Sequence, residues 1–122
     1  MNFLIVRHIH FKEALAGLME VTRTENTFKI HLVIAIATII AALYLGFSAV
    51  EWLILILIIS SVLAAEAFNT AIEIFADYVD KKHNPSIKIV KDISASAVLI
   101  TVIASVIVGI ILFYPKLLIL LK

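Results

Sequence analysis

The chain has 122 residues, 63% of them hydrophobic and 16% charged, with a mean hydropathy of +1.14. That excludes a water-soluble globular domain, in which about half the residues are apolar. Zero cysteines exclude a disulfide framework and thiolate metal sites, and a net charge of +1 gives no reason to expect nucleic acid as a partner.

In chain order, residues 7–21 read as an amphipathic helix, with Phe11, Leu15, Leu18 and Met19 on one face against Lys12, Glu13, Ala16 and Glu20. Such a helix can lie flat on a bilayer, apolar side down. No short apolar core with a small-residue cleavage site precedes it, so a cleavable signal is not expected. His8 and His10 do not form a metal pair. Thr24 is expected to cap the first span, with Glu25 in its first turn.

Apolar segments follow at 32–47, 52–65 and 93–114. Only the third alone reaches the roughly 20 residues of a membrane span; the others include polar residues at one end. The expected spans are 28–47, 50–72 (the helix continuing to about residue 82) and 92–114. Gly46 and Ser48 make the turn after the first, and Tyr44, Trp52 and Tyr114 suit interfacial aromatics. Asn84-Pro85 is expected to end the second helix, because a proline pushes its predecessor out of the α region. Pro115 is expected to end the third. Small residues Ser94–Ala97 suggest close helix packing. With no internal repeat or linker, residues 1–122 read as one all-α integral membrane domain.

Eight of the ten basic residues flank one side: Arg7, Lys12, Arg23 and Lys29 before the first span, and Lys81, Lys82, Lys88 and Lys91 between the second and third. By the positive-inside rule, the N-terminus and the 77–91 segment are expected in the cytoplasm of a cell, beneath its multi-pass membrane domain.

Glu66, Asn69, Glu73, Asp77 and Asp80 are separated by 3, 4, 4 and 3 residues, which aligns them on one stripe of the second helix. At 1.5 Å per residue, Glu66 lies about 21 Å from Trp52, still inside a hydrocarbon core about 30 Å thick. Asp77 and Asp80 reach water. A carboxylate at that depth is costly and usually marks function; a residue that merely pairs helices together is the plainer alternative. Phosphoryl transfer needs Mg²⁺ on one or two carboxylates, cations for the phosphates and a base near the accepting hydroxyl. Glu73, with Glu25 at similar depth, suits the metal; Lys91 suits a phosphate; Glu66, deepest and driest, suits a base acting on a lipid hydroxyl. Neither a P-loop nor a protein-kinase motif occurs. His31 can touch headgroups or nucleotide, or be an interfacial histidine with no special duty, and it is assigned to no site.

The run "EAFNTAIEIFADYVD", the downstream "KD" of Lys91-Asp92 with "SASAVLI", and "RTENTF" before the first span together resemble the small membrane-integral diacylglycerol kinase and undecaprenol kinase family of bacteria. The resemblance implies a homotrimer in the bacterial inner membrane that phosphorylates a lipid hydroxyl with MgATP. It implies Glu66 as catalytic base, Glu25 and Glu73 as Mg²⁺ ligands, and Asn69, Asp77, Lys91 and Asp92 around the phosphates and acceptor. Arg7 and Glu13 correspond only approximately to its N-terminal nucleotide contacts, and Asn84 stands where members can carry a histidine. "RTENTFKIH", "H-x-P" at His83–Pro85 and "YPKLL" are closer in style to undecaprenol kinases, with diacylglycerol as the alternative acceptor. Geometry also favours association, since three thin helices cannot alone shield Glu66 from lipid. An ion-translocating subunit predicts polar residues continuing to the far side, where the helices lack charges; a small structural subunit leaves the ordered stripe unexplained.

Overall fold

The protein is described here from a computed structural model, with backbone from Phe3 to Lys122 and side chains from His10 onward. Four helices make up the described residues: α1 (Phe3–Thr24), α2 (Asn26–Leu45), α3 (Ala49–Val79) and α4 (Pro85–Leu120). The last three are long and apolar enough to cross a membrane. At 1.5 Å per residue, the 20 residues of α2 span about 30 Å, while the 31 of α3 reach about 46 Å, so α3 carries its polar stripe beyond the hydrocarbon.

α3 is the centre of the bundle. α4 packs along it most extensively, α2 packs on it less, and α1 rests against α2 and α3. The apolar core sits at the Gly46 end, where Ala42, Phe47, Leu55 and Leu112 are buried together. Elsewhere large apolar side chains such as Leu53, Leu57, Ile100 and Ile111 face outward, the arrangement expected where the surroundings are lipid. Phe11, Leu15, Leu18 and Met19 of α1 are likewise exposed.

The turn between α2 and α3 follows the expectation from Gly46 and Ser48. Gly46 adopts a left-handed conformation (φ 69°, ψ 53°) that glycine takes without steric cost. The Ser48 hydroxyl accepts from the Glu51 N–H at 3.3 Å, and the Ser48 N–H donates to Glu51 Oε2 at 2.7 Å, a reciprocal capping box.

Other boundaries differ from expectation. Thr24 is the last residue of α1, its hydroxyl donating to the Glu20 carbonyl at 2.9 Å, and Glu25 holds the N-cap position of α2. α3 stops at Val79 because Asp80 folds the chain away: its Oδ1 accepts from the Lys82 N–H at 2.8 Å, an Asx-type turn. Asn84-Pro85 starts α4 instead of ending α3. Asn84 Oδ1 accepts from the Ser86 N–H at 2.9 Å, and Pro85 occupies the first helical turn, where its missing N–H costs nothing.

Pro115 lies inside α4 and does not end it. The residues past it are tied down: Lys116 Nζ is 3.1 Å from Glu51 Oε2 and 5.3 Å from the centre of the Phe47 ring, which itself packs on Phe113 at 4.9 Å. Held this way, the segment stays helical despite the lost backbone bond, as membrane helices permit. The Gly46 end therefore holds an ion pair, contrary to the expectation of charge-free far ends.

Candidate active site

The stripe on α3 meets the start of α2 and the start of α4 in a polar cleft. Glu25, Thr27, Glu66, Asn69, Thr70 and Glu73 line it with Ala95 and Val98, around a volume of about 210 Å³. Glu25 gets there because a one-residue break between α1 and α2 puts it in extended backbone (φ −100°, ψ 112°). Its side chain makes no capping bond, which leaves the carboxylate available to the cleft.

Glu73 is held in place by a chain of hydrogen bonds. Ser94 Oγ donates to Asn69 Oδ1 at 2.8 Å, and Asn69 Nδ2 donates to Glu73 Oε1 at 3.1 Å. Ser94 is buried, so the chain joins α4 to α3 and fixes one Glu73 oxygen while the other stays free. Asn69 thus bridges the two with its amide, accepting from Ser94 at Oδ1 and donating to Glu73 from Nδ2. Ser94, expected from sequence to serve close helix packing, is buried where α4 meets α3 and also supplies a hydrogen bond.

Glu66 is the deepest acid, with 4% of its surface exposed. Its Oε1 lies 3.0 Å from His31 Nε2 on α2. Burial of a carboxylate needs such a partner. His31, to which the sequence assigned no site, is the principal residue missed. Counting depth along each helix exposes the signal: His31 is about 9 Å past Glu25, and Glu66 about 10 Å past Glu73, at 1.5 Å per residue.

A second cleft forms at the α3–α4 junction, lined by Asp77, Asp80, Lys81, Lys82, His83, Asn84, Lys88 and Lys91. Lys91 Nζ donates to Asp77 Oδ1 across the two helices. The junction gathers four lysines at the water-facing end of the stripe, a setting suited to phosphate oxygens.

Asp92 and Glu13 line neither cleft. Asp92 faces outward and pairs with Lys88 at 2.6 Å. Glu13 is exposed beside His10, 3.6 Å from its Nδ1. The side chain of Arg7 lies outside the described residues.

Among the described residues, no three His, Cys, Asp or Glu side chains converge as a ready-made metal cage. The donor chemistry of the cleft nonetheless fits Mg²⁺, which prefers one or two carboxylates and completes its shell with water and substrate phosphate.

An apolar groove opens beside the polar cleft. α2 and α4 pack on α3 far more than on each other, leaving a space of about 290 Å³ lined by His31, Ile34, Ala35, Ile58, Val62, Gly109 and Phe113, among others. His31 belongs to this groove and touches Glu66 of the cleft.

A family model for prokaryotic diacylglycerol kinase matches residues 12–113. The chain belongs to this family. It is 38% identical over 107 residues to the undecaprenol kinase of Bacillus subtilis strain 168, covering 88% of this chain and 87% of that protein. It is also 38% identical over 111 residues to the diacylglycerol kinase of Synechocystis sp. strain PCC 6803, covering 90% of this chain and 63% of that longer protein. Membership in the prokaryotic diacylglycerol kinase family makes the chain a membrane kinase that draws its phosphoryl group from a nucleotide.

Proposed function

We propose that this kinase transfers the γ-phosphoryl group of ATP to the hydroxyl of a membrane lipid alcohol, with undecaprenol as the acceptor and undecaprenyl phosphate as the product. The observation that carries the reading is the contact of His31, which lines the apolar groove, with Glu66, which lines the polar cleft. One side suits a nucleotide and its counter-ion, the other a lipid chain, and a dry carboxylate stands between them.

In this reading Glu66 accepts the hydroxyl proton as general base. The alcohol oxygen bonds to the γ-phosphorus while the bond from that phosphorus to the bridging oxygen breaks, and ADP leaves with the electron pair. Lys91 and its neighbours hold phosphate oxygens, and Asp77 orients Lys91 through their ion pair. Asn69, fixed by Ser94, orients Glu73. Glu25 and Glu73 would hold Mg²⁺, which when bound offsets charge on the β- and γ-phosphates. Asp92 would act through Lys88, with which it pairs at the rim of the second cleft, and Glu13 and Arg7 would contact nucleotide from the N-terminal helix.

The same reading sets the assembly. The basic end carrying Glu25 and Lys91 faces the cytoplasm of a bacterial cell, α1 lies on that surface of the inner membrane, and the whole chain acts as one domain. The outward apolar face of α4 and the openness of the cleft support self-association, as a homotrimer, with neighbouring copies completing the site. Crosslinking in a bilayer that traps only monomers refutes that.

Undecaprenol is favoured because the match spans 87% of the Bacillus undecaprenol kinase but only 63% of the Synechocystis diacylglycerol kinase. Diacylglycerol, giving phosphatidic acid, is the second reading. Purified protein given MgATP with either alcohol in detergent tests both: faster lipid phosphate formation from undecaprenol is expected, preference for diacylglycerol reverses the order, and no product from either rejects both in favour of a non-catalytic or ion-translocating role.

A further inference from the structure

His31 sits where two surroundings meet. Its imidazole lines the groove with Ile34, Ala35 and Val62, while Nε2 stands 3.0 Å from Glu66 Oε1, the two side chains being 18% and 6% exposed. Packing alone would be served by an aliphatic residue, as it is at Ile34 and Ala35. An imidazole in that place is costly to desolvate unless it has a polar partner, and Glu66 is the partner it has.

The groove fits one kind of occupant. Its roughly 290 Å³ is about twice the ~150 Å³ cavity that takes up a benzene ring, room for on the order of a dozen carbons. A helix from a second copy, about 10 Å across with its side chains, does not fit. A single flexible hydrocarbon chain does, and its hydroxyl would stop at the polar end beside His31 and Glu66.

We propose that His31 is a positioning residue: by holding Oε1 of Glu66 it turns Oε2 toward the hydroxyl of a lipid alcohol whose chain lies in the groove. This rests on the reading of Glu66 as the base. A base must come within about 2.6–3.2 Å of the oxygen it deprotonates, a tolerance that an unanchored carboxylate does not keep. The cation-capable groups at the outer end of the stripe, Lys91 and its neighbours, belong to the other cleft, so His31 alone anchors this oxygen among the described residues.

The test compares His31→Leu, His31→Gln, Glu66→Gln and the double variant His31→Leu/Glu66→Gln in full-length protein, with undecaprenol and saturating MgATP. Loss of alignment by about 1 Å can cost about 100-fold, so His31→Leu should lower kcat by about 10- to 100-fold while KM for ATP stays within about twofold. His31→Gln, which keeps an N–H at similar reach, should recover most of the rate. The double variant should be no slower than Glu66→Gln, because His31 acts through Glu66. His31→Leu with the parent's kcat overturns the inference, as does a double variant in which the two losses multiply, or a Gln variant as slow and as thermally weakened as the Leu variant. A parent that forms no lipid phosphate instead overturns the kinase reading beneath it.

Discussion

Replacing Glu66 with glutamine separates chemistry from architecture. The amide matches the carboxylate in size, and its oxygen or nitrogen can still meet His31 Nε2 at the observed 3.0 Å, so the fold is retained. What disappears is the proton acceptor. General-base catalysis contributes about 10²- to 10⁴-fold, and at 6% exposure water has little access to take over the role, which puts the loss in the upper part of that range. At 1.36 kcal/mol per tenfold, a loss of that size raises the barrier by about 4–5 kcal/mol. Nucleotide binding should hardly change, since the Lys91 cleft is the outer part of the stripe, about 16 Å along α3 from Glu66 to Asp77 at 1.5 Å per residue. Transfer of labelled γ-phosphate to undecaprenol in mixed micelles measures kcat, and a fluorescent nucleotide measures affinity. A Glu66→Gln enzyme that keeps more than about a tenth of the parent rate, when about a hundredfold loss is the least expected, refutes the role of Glu66 as base.

Three further substitutions probe the parts around it. Asn69→Leu removes the link from Ser94 to Glu73 and leaves a buried hydroxyl unpaired, a cost of about 1–3 kcal/mol; a higher Mg²⁺ requirement for half-maximal activity should accompany the lower melting temperature. Lys91→Met deletes a half-exposed ion pair with Asp77 worth at most about 1 kcal/mol of stability, so a raised KM for ATP with near-parental melting is expected, and an unchanged KM removes Lys91 from the phosphate site. Lys116→Met removes the cation from over Phe47, an interaction of about 0.5–2 kcal/mol; thermal stability in detergent should fall while kcat does not, and a matching loss of kcat contradicts the separation of the two ends.

How much of this was legible beforehand follows from the range of each signal. The apolar segments and the stripe from Glu66 to Asp77 are periodicities within one helix, and they appear in the fold as expected, while Asp80 falls just past the end of α3. Asn84-Pro85 satisfies two local rules at once, as the stop of one helix or the cap and first turn of the next. The choice was made elsewhere, by Asp80 turning the chain first. Pro115 was misjudged because its helix is held from another part of the chain, through Glu51 and Phe47. His31 was missed, and the hydrogen bond of Ser94 with it, for the same reason: their partners, Glu66 and Asn69, stand on a different helix, and only a comparison of depths between helices brings such pairs together.

The two ends of the bundle are held together by different forces. At the Gly46 end, Ala42, Phe47, Leu55 and Leu112 pack into a core, clasped by Lys116 and Glu51. At the Glu25 end the contacts between helices include polar ones: His31 with Glu66, Ser94 with Asn69, Lys91 with Asp77. Lipid supplies little hydrophobic drive for helices to associate, so small residues and polar contacts take a larger share of that work. The residues that would do the chemistry are therefore also the residues that align α2, α3 and α4. Activity and stability should fall together when the Ser94–Asn69–Glu73 chain is broken, and separately when the Lys116 clasp is cut, so each kinetic loss at the Glu25 end has meaning only beside a melting curve.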